Sequence, residues 1–307
     1  MLIRSFLSLS LLLASHTYAG KFIELTRFGD NPGRLNAQLY VPTSTSNKLL
    51  VFLHGCTQQG KAFVIETALQ AFAERHNLLL LVPQQRRMNH INLCYNWYSK
   101  TDAMGEGESR SMLSMIKTLK QQYPINSVGI VGISAGAAMI TPLLIQKPEL
   151  FSYVAIVASP AYDCADGIFS GLSCMLKGPK NIDSMIDAIK KQWPEKTPIP
   201  QISIWQGGED KVVVPANAEL LANQWLHTAK QPLSKQQLQS PAYQQTQWRN
   251  QQGELLLSHV LINKMGHALP VDLNKAELPK FSFVTEISIT EFIEKHWQGF
   301  VNPADNL

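Results

Sequence analysis

The chain of 307 residues contains no run of lysine or arginine and no segment in which basic and aromatic residues alternate. Its formal net charge of +4 is spread along the sequence and forms no concentrated basic stretch. Proteins that bind nucleic acids usually carry such a stretch, because contacts to phosphates supply much of their affinity. The sequence therefore argues against nucleic acid as a partner.

Long apolar segments are also scarce. Near the N-terminus, Arg4 precedes an apolar stretch at residues 6–14, and Thr17-Tyr18-Ala19 forms a small-x-small cleavage motif. This stretch is shorter than the roughly 20 residues that span a bilayer, no later segment is apolar enough to do so, and no cysteine follows the motif to accept a lipid. We predict a cleaved signal peptide at residues 1–19, and a secreted or periplasmic protein that has no membrane partner after cleavage.

Cysteine spacings typical of metal sites are absent as well. The four cysteines, Cys56, Cys94, Cys164 and Cys174, form neither a C-x-x-C motif nor a cluster with histidine, so we expect no metal and no cofactor. An even number of cysteines in an exported chain favours disulfide bonds. Three pairings are possible, and spacing alone does not choose rigorously among them. We predict Cys164–Cys174, whose members are near neighbours, which leaves Cys56–Cys94.

Strand-like and helical patterns alternate along the rest of the chain. Apolar runs typical of buried strands lie at residues 48–55, 78–83, 127–134, 152–160 and 201–206. With helical periodicity between them, they predict an α/β protein with a mostly parallel sheet and helices on both faces. KFIELTRF and LNAQLYVP, which precede these runs, predict an antiparallel hairpin at the sheet edge. Since no repeat or linker divides the pattern, we expect residues 20–307 to form a single domain.

The stretch VGIVGISAGAAM (128–139) places glycine two positions before and after Ser134, between a predicted strand and a predicted helix. Gly-x-Ser-x-Gly is the nucleophile elbow, a tight turn that exposes a reactive serine oxygen. The alternative is a glycine-rich turn in which the serine only caps a helix. The pentapeptide does not decide between them, so a nucleophile requires a base and an acid elsewhere in the chain.

The candidate base follows the serine, as it does in chains with this elbow. Of the four later histidines, His227 and His296 lie in predicted helices and His259 lies in a predicted strand. Only His267, in KMGHALP, lies on a loop after a late strand. We therefore predict that His267 is the general base.

The candidate acid lies in QISIWQGGEDKVVVP, directly after a predicted buried strand. We choose Asp210, whose role would be to orient the imidazole and stabilise its charged form. Glu209 is the second choice, and both residues could instead be solvent-facing members of a turn. Other acidic residues, Asp163, Asp166 and Asp272, do not follow a strand end in this way.

The oxyanion that forms during acyl transfer needs amide donors. One is expected from Ala135, which follows the nucleophile, and the second from the loop after the strand at 48–55. In that loop, LHGCTQQG, we assign the donor to the amide of Cys56. We expect His54 to be a buried, hydrogen-bonded residue of structural importance.

Five ordered segments carry a resemblance to a known family: LHGCTQ (53–58), LCYNWY (93–98), GISAG (132–136), D-x-x-V-x-P (210–215) and GHA (266–268). Together they resemble the secreted poly(3-hydroxybutyrate) depolymerase-like esterases of the α/β-hydrolase superfamily. The resemblance implies an α/β-hydrolase fold and a serine esterase acting on polyhydroxyalkanoate or its oligomers. It also implies a triad of Ser134, Asp210 and His267, with the amides of Cys56 and Ala135 as oxyanion donors.

Aromatic residues after Cys94 are candidates for substrate contact. The family pattern Cys-Trp-Asn-Trp-Phe appears here as CYNWY (94–98), and its two substitutions leave the substrate within the family open. A Cys56–Cys94 bond would bring Trp97 near the oxyanion loop, where its ring would form an apolar wall for a small acyl group. The alternative is that Trp97 is an ordinary core residue.

We therefore predict a secreted serine carboxylic-ester hydrolase for short hydroxyacyl esters or oligomers. The main alternative is a feruloyl or acetylxylan-type carbohydrate esterase. Two less favoured alternatives are a noncatalytic α/β-hydrolase and an acyltransferase. The first would typically lack a member of the triad, and the second would use the same triad with an acceptor other than water. Since the chain ends at Leu307 without a granule-binding domain, we expect action on soluble or amorphous ester rather than crystalline polymer.

Overall fold

The computed structural model of the protein describes residues 20–45, 47–180, 182–194, 197, 199–272 and 278–297. The signal peptide predicted at residues 1–19 lies outside these ranges and stays a prediction. Within the described ranges, no helix combines the length and the apolar character needed to cross a membrane.

A ten-stranded sheet forms the centre of the fold. Its strands are β1 (Lys21–Glu24), β2 (Asn36–Val41), β3 (Lys48–Leu53), β4 (Leu79–Gln84), β5 (Ser127–Ile133), β6 (Tyr153–Val157), β7 (Gln201–Gly207), β8 (Ser234–Gln239), β9 (Tyr243–Arg249) and β10 (Leu255–Ile262). Their order across the sheet is β1-β2-β4-β3-β5-β6-β7-β10-β9-β8. Neighbours from β4 to β10 pair in parallel, and the pairs at both edges are antiparallel. A small second sheet pairs β11 (Leu269–Val271) with β12 (Ser282–Val284).

Helices cover both faces of the large sheet. They are α1 (Gly60–Glu66), α2 (Leu69–Arg75), α3 (Lys100–Ala103), α4 (Glu108–Gln122), α5 (Ala135–Ala138), α6 (Ile140–Gln146), α7 (Ile168–Lys177), α8 (Ile182–Met185), α9 (Ala216–Leu226) and α10 (Ile289–His296). One core contains residues of α4, α6 and α9, and the other contains residues of α1, α2 and α10. Because the central strands are buried on both faces, they read as continuous apolar runs in the sequence. The predicted α/β class is confirmed.

Two elements differ from the sequence-based expectations. The sequence of residues 62–75 has one continuous helical pattern, but the structure divides it between α1 and α2, because Ala68 adopts a left-handed conformation with φ 61° between them. Just before it, the Thr67 hydroxyl donates to the carbonyl of Phe63 at 2.6 Å and occupies an acceptor at the end of α1. At the other edge, β8 was not predicted, because it is exposed along its whole length and has no apolar alternation.

The parallel strands place the candidate residues at one edge of the sheet. Strands β3, β5, β7 and β10 run in the same direction and end at Leu53, Ile133, Gly207 and Ile262. Each candidate residue of the triad and the oxyanion hole follows one of these carboxyl ends. Ligand sites of parallel α/β sheets form at this edge, so the topology alone brings the candidates together.

Candidate active site

Ser134 lies in a sharp turn between β5 and α5. Its backbone has φ 57° and ψ −125°, a conformation that a residue with a side chain rarely adopts. A hydrogen bond from its amide to the carbonyl of Val157, at 2.9 Å, holds the turn against the neighbouring strand. Backbone strain of this kind is typical of functional sites, where surrounding contacts maintain it.

The two glycines of the pentapeptide are required by close backbone packing. A Cβ atom on Gly132 would lie 2.8 Å from the amide nitrogen of Ala137, within the same turn. On Gly136 it would lie 2.3 Å from the carbonyl oxygen of Leu53, at the end of β3. The glycines thus allow the serine turn to sit directly against the loop that follows β3.

Asp210 and His267 meet across two loops that touch at their backbones. A Cβ atom on Gly207 would lie 2.3 Å from the carbonyl of Gly266, so both loops depend on this close approach. Nδ1 of His267 lies 2.8 Å from Oδ2 of Asp210. The Asp210 side chain is fully buried, whereas that of His267 keeps 10% of its surface exposed. The arrangement leaves Nε2 as the imidazole nitrogen not engaged by the carboxylate.

Three further donors fix the Asp210 carboxylate. Its Oδ1 accepts hydrogen bonds from the amides of Val212 at 2.8 Å and Val213 at 2.9 Å. Its Oδ2 also accepts from Nε2 of Gln206 at 3.2 Å. A buried carboxylate requires such partners, and they hold it in one orientation toward His267. Sequence reasoning missed Gln206, because a polar residue in an apolar strand gives no signal of its partner.

Ser134 and His267 line one cavity of about 260 Å³. Gly55 and Cys56 of the loop after β3 also line it, and a Cβ atom on Gly55 would lie 3.2 Å from that of Ser134. The loop from 54 to 58 is called the oxyanion loop below. A wider cavity of about 720 Å³ opens near the start of β7, beside Gln201, and is lined by no residue of the predicted triad or oxyanion hole.

Of the two expected oxyanion donors, Cys56 lines this cavity, and Ala135 directly follows Ser134, which lines it. Ala135 is the first residue of α5, and the first amides of a helix have no acceptor within it. In the oxyanion loop, the amide of Thr57 donates to the carbonyl of Asn92 at 2.6 Å. The amide of Cys56 donates to no group among the residues that the structure describes. Both amides thus remain available to a ligand.

His54 is buried and hydrogen-bonded at both ring nitrogens. Nδ1 lies 2.8 Å from the carbonyl of Gly55, and Nε2 accepts a hydrogen bond from the amide of Gln85 at 3.0 Å. Nε2 is an acceptor, so Nδ1 carries the proton and donates. Desolvation by burial lowers the pKa of His54 to about 4, which keeps the ring neutral. Its bonds are those of a structural residue, as expected.

Disulfide bonds join Cys56 to Cys94 and Cys164 to Cys174. These are the two pairs expected from the sequence. The first connects the oxyanion loop to the segment after β4, and the second connects the loop after β6 to α7. Only the first bond includes a residue that lines the cavity of Ser134, namely Cys56.

We expect the serine double variant Cys56→Ser/Cys94→Ser to lose stability and turnover together. Loss of a bond closing a loop of this length costs about 4 kcal/mol of unfolding free energy, and a displaced oxyanion amide lowers kcat. The matched variant Cys164→Ser/Cys174→Ser should lose about 3 kcal/mol and keep its kcat. Urea unfolding and ester turnover of the folded protein measure both quantities. Unchanged kcat in the first variant would contradict a positioning role for that bond.

The remaining candidates lie elsewhere. Glu209 is exposed on the loop after β7, and His227 pairs with Asp187 at 3.2 Å on the surface. Burial lowers the pKa of both His259 and His296 to about 4, and neither lines the cavity of Ser134. These residues are not brought to the candidate site.

Trp97 lines a second, smaller cavity of about 60 Å³ together with Ala138 and Pro160. Its ring packs edge-to-face on Tyr98, with centroids 5.6 Å apart, and lies against Gly171 of α7. The side chain is half-buried and also contacts the core. Ala138 lies one helical turn after Ser134, since its amide donates to the Ser134 carbonyl. Trp97 is thus near the elbow without lining the cavity of Ser134.

The sheet topology and covering helices are those of the α/β-hydrolases, and the protein is by class a carboxylic-ester hydrolase. Specifically, the chain belongs to the family described as Esterase PHB depolymerase, whose model matches residues 35–231.

The chain is also similar to individual known proteins. Poly(3-hydroxyalkanoate) depolymerase C of Paucimonas lemoignei is 30% identical over 84% of this chain and 64% of its own length. Feruloyl esterase B of Thermothelomyces thermophilus is 28% identical over 73% of this chain and 80% of its own. The solved acetyl xylan esterase from Aspergillus awamori has a similar fold, with a TM-score of 0.69 at 20% identity, covering 81% of this chain and 94% of that chain. The chain thus spans somewhat less than two thirds of the depolymerase.

Proposed function

We propose that this protein is an exported serine esterase that cleaves short hydroxyacyl esters or oligomers of the polyhydroxybutyrate type. The observation that carries the proposal is the 2.8 Å contact between His267 and the buried Asp210, with His267 and Ser134 lining one cavity. Export is supported by the two disulfide bonds, which are typical of oxidising compartments.

In the proposed mechanism, Oγ of Ser134 attacks the ester carbonyl while Nε2 of His267 takes the hydroxyl proton. The carbonyl oxygen becomes an anion and accepts hydrogen bonds from the amides of Cys56 and Ala135. The C–O bond to the alcohol then breaks, and the alcohol leaves with the proton from His267. Water repeats the sequence on the acyl-enzyme and releases the acid. Asp210 holds the imidazole and stabilises its charged form throughout.

The size and lining of the cavity favour a small apolar acyl group. Its volume of about 260 Å³ is small for a ligand pocket. Beyond the reacting groups, it is lined by side chains that include Met175, Val212 and Phe281. Such a site accepts a C2 to C4 acyl chain and offers little room for a long one.

Helix α7 presents an apolar outer face next to this cavity. Ile168, Phe169, Leu172 and Leu176 are 56%, 89%, 47% and 51% exposed, and their spacing places them on one side of the helix. Met175 of the same helix lines the cavity, so the apolar surface continues from the cavity outward. This continuity supports an ester whose remaining units are themselves apolar, as in a hydroxybutyrate oligomer.

The second candidate is a carbohydrate esterase of the feruloyl or acetylxylan type, which the similarity to feruloyl esterase B favours. Turnover of acetyl, butyryl, feruloyl and long-chain esters and of hydroxybutyrate trimers separates the two. We expect short aliphatic esters and trimers to be cleaved fastest. A preference for feruloyl esters would establish the alternative, and ester formation with added alcohol would reveal acyl transfer.

We also propose that Trp97 contacts the part of the oligomer beyond the scissile bond. Replacing Trp97 with alanine should then lower kcat/KM for hydroxybutyrate trimers about tenfold or more, while p-nitrophenyl acetate, which does not reach this ring, is cleaved normally. Steady-state kinetics on both substrates provide the measurement.

Trp193 supplies the matched control for this prediction. It is 6% exposed and packs edge-to-face on Trp225 in the core, 5.3 Å between centroids. Trp193→Ala should lose about 3 to 5 kcal/mol of stability and treat both substrates alike. If Trp97→Ala shows this same pattern, Trp97 is a core residue and has no role in substrate binding.

A further inference from the structure

Glu108 is a buried carboxylate that the proposed mechanism does not use. It is the first residue of α4 and is 3% exposed. Its Oε2 accepts from the amide of Asn96 at 2.8 Å, and its Oε1 accepts from Nδ2 of Asn96 at 2.7 Å and from Nε2 of Gln85. Burial, and secondarily the nearby Asp102, raises the pKa of Glu108 to about 7. A carboxylate this costly to bury requires a reason for its presence.

Helix capping does not supply that reason. The cap residue of α4 is Gly107, and the carboxylate that accepts from an amide of the first turn is that of Asp102, from Ser109 at 3.1 Å. Glu108 points its oxygens instead at two segments of the chain after β4. Its side chain therefore acts on these segments and not on its own helix.

The first of these segments leads to the oxyanion loop through hydrogen bonds. Gln85, which donates to Glu108, also donates to the carbonyl of Cys94 at 3.0 Å. The backbone amide of Gln85 donates to Nε2 of His54 at 3.0 Å. Since Nε2 accepts this bond, the His54 proton is on Nδ1. Nδ1 then donates to the carbonyl of Gly55 at 2.8 Å.

This last bond acts on the proposed oxyanion donor itself. The carbonyl of Gly55 and the amide of Cys56 belong to one planar peptide group, in which they point in opposite directions. Holding the carbonyl against His54 therefore fixes the direction of the Cys56 N–H. The bond also polarises that N–H, since hydrogen bonds in a chain strengthen one another.

The second segment reaches the same peptide covalently. Asn96, whose amide and side chain both donate to Glu108, lies two residues after Cys94. Cys94 is bonded to Cys56. One carboxylate thus holds two connections that converge on the Gly55–Cys56 peptide, one through Gln85 and His54 and one through the disulfide.

We propose that Glu108 is a positioning residue that fixes the orientation of the Gly55–Cys56 peptide and so the oxyanion hole. The inference rests on the proposed function, in which the Cys56 amide stabilises the oxyanion. It assigns the hydrogen-bonded cluster of Glu108, Gln85 and Asn96 to transition-state stabilisation and not to substrate binding.

The test is Glu108→Gln, which keeps the shape but turns an NH₂ group toward donors that need an acceptor. A misplacement of about 1 Å can cost about 10²-fold in rate, so we expect kcat to fall tenfold or more with KM little changed. The inhibition constant of an aliphatic trifluoromethyl ketone should rise by the same factor, because its adduct with Ser134 places an oxyanion in the hole. Asp102→Asn is the matched control, and it should lose stability without either effect.

Unchanged kcat in folded Glu108→Gln, or a kcat loss without weaker ketone binding, would overturn the inference. If that variant does not fold, Asn96→Ala is tested in the same assays. It removes the side-chain donor to Glu108 and keeps the backbone amide, so we expect a smaller fall in kcat and a smaller rise in the inhibition constant. Unchanged values of both would overturn the inference. Failure of the proposed function would be seen separately. In that case the wild-type protein would cleave no ester, or the Ser134→Ala variant would cleave esters as fast as wild type.

Discussion

Alanine at position 134 is expected to abolish ester hydrolysis, with kcat lower by on the order of 10⁶-fold, the effect of removing the nucleophile of a serine hydrolase. The proposed acyl-enzyme needs the serine oxygen, and neither water nor His267 replaces it in this cavity. The proposed oxyanion amides would remain, so a small residual rate above the uncatalysed reaction should persist. Turnover of p-nitrophenyl butyrate by purified protein measures the loss.

Stability should change little in this variant. Alanine is as strained as serine at φ 57°, and the bond from the residue 134 amide to Val157 is retained. Ser159→Ala, two residues after the end of β6, is the control for loss of a buried serine hydroxyl and should keep its activity. A fluorophosphonate should label wild type at Ser134 alone. Labelling of another serine, or wild-type turnover by folded Ser134→Ala, would contradict the assignment.

The features that could be read from the sequence are those fixed by local chemistry and chain order. The glycines around Ser134 predict a turn that has no room for side chains at their positions. The structure shows the close backbone neighbours that exclude a Cβ atom there. Asp210 and His267 follow strand ends, and parallel topology brings such positions to one edge. The contact between Asp210 and His267 could therefore be expected without knowledge of the tertiary packing.

Features that depend on contacts between distant segments could not be read in this way. Gln85 is a polar residue whose partner, Glu108, lies 23 positions later on α4. Gln206 lies only four positions before its partner, Asp210, and their contact depends on how the turn after β7 folds back. Nothing in a run such as QISIWQ distinguishes a glutamine that orients a carboxylate from one that faces solvent. The break at Ala68 likewise depends on packing that overrides a continuous helical pattern.

Asparagine at position 210 is expected to lower kcat by on the order of 10⁴-fold, the cost of this change in a Ser-His-Asp site. The structure gives a specific reason. Oδ1 accepts from the amides of Val212 and Val213, so an asparagine would keep its oxygen there and turn its NH₂ toward His267. Nδ1 would then have to accept, and the imidazole proton would move to Nε2. In that tautomer His267 cannot take the proton of Ser134.

The control is Glu209→Gln, the neighbouring carboxylate that was the second choice for the acid. Its side chain is exposed, and its amide keeps the bond to the Met265 carbonyl at 2.9 Å, so kcat should stay near that of wild type. Because the change in Asp210→Asn is one of tautomer and not of binding, KM should stay within the range of wild type while kcat falls. A loss in Glu209→Gln equal to that in Asp210→Asn, or an Asp210→Asn variant within tenfold of wild type, would remove Asp210 from the proposed triad.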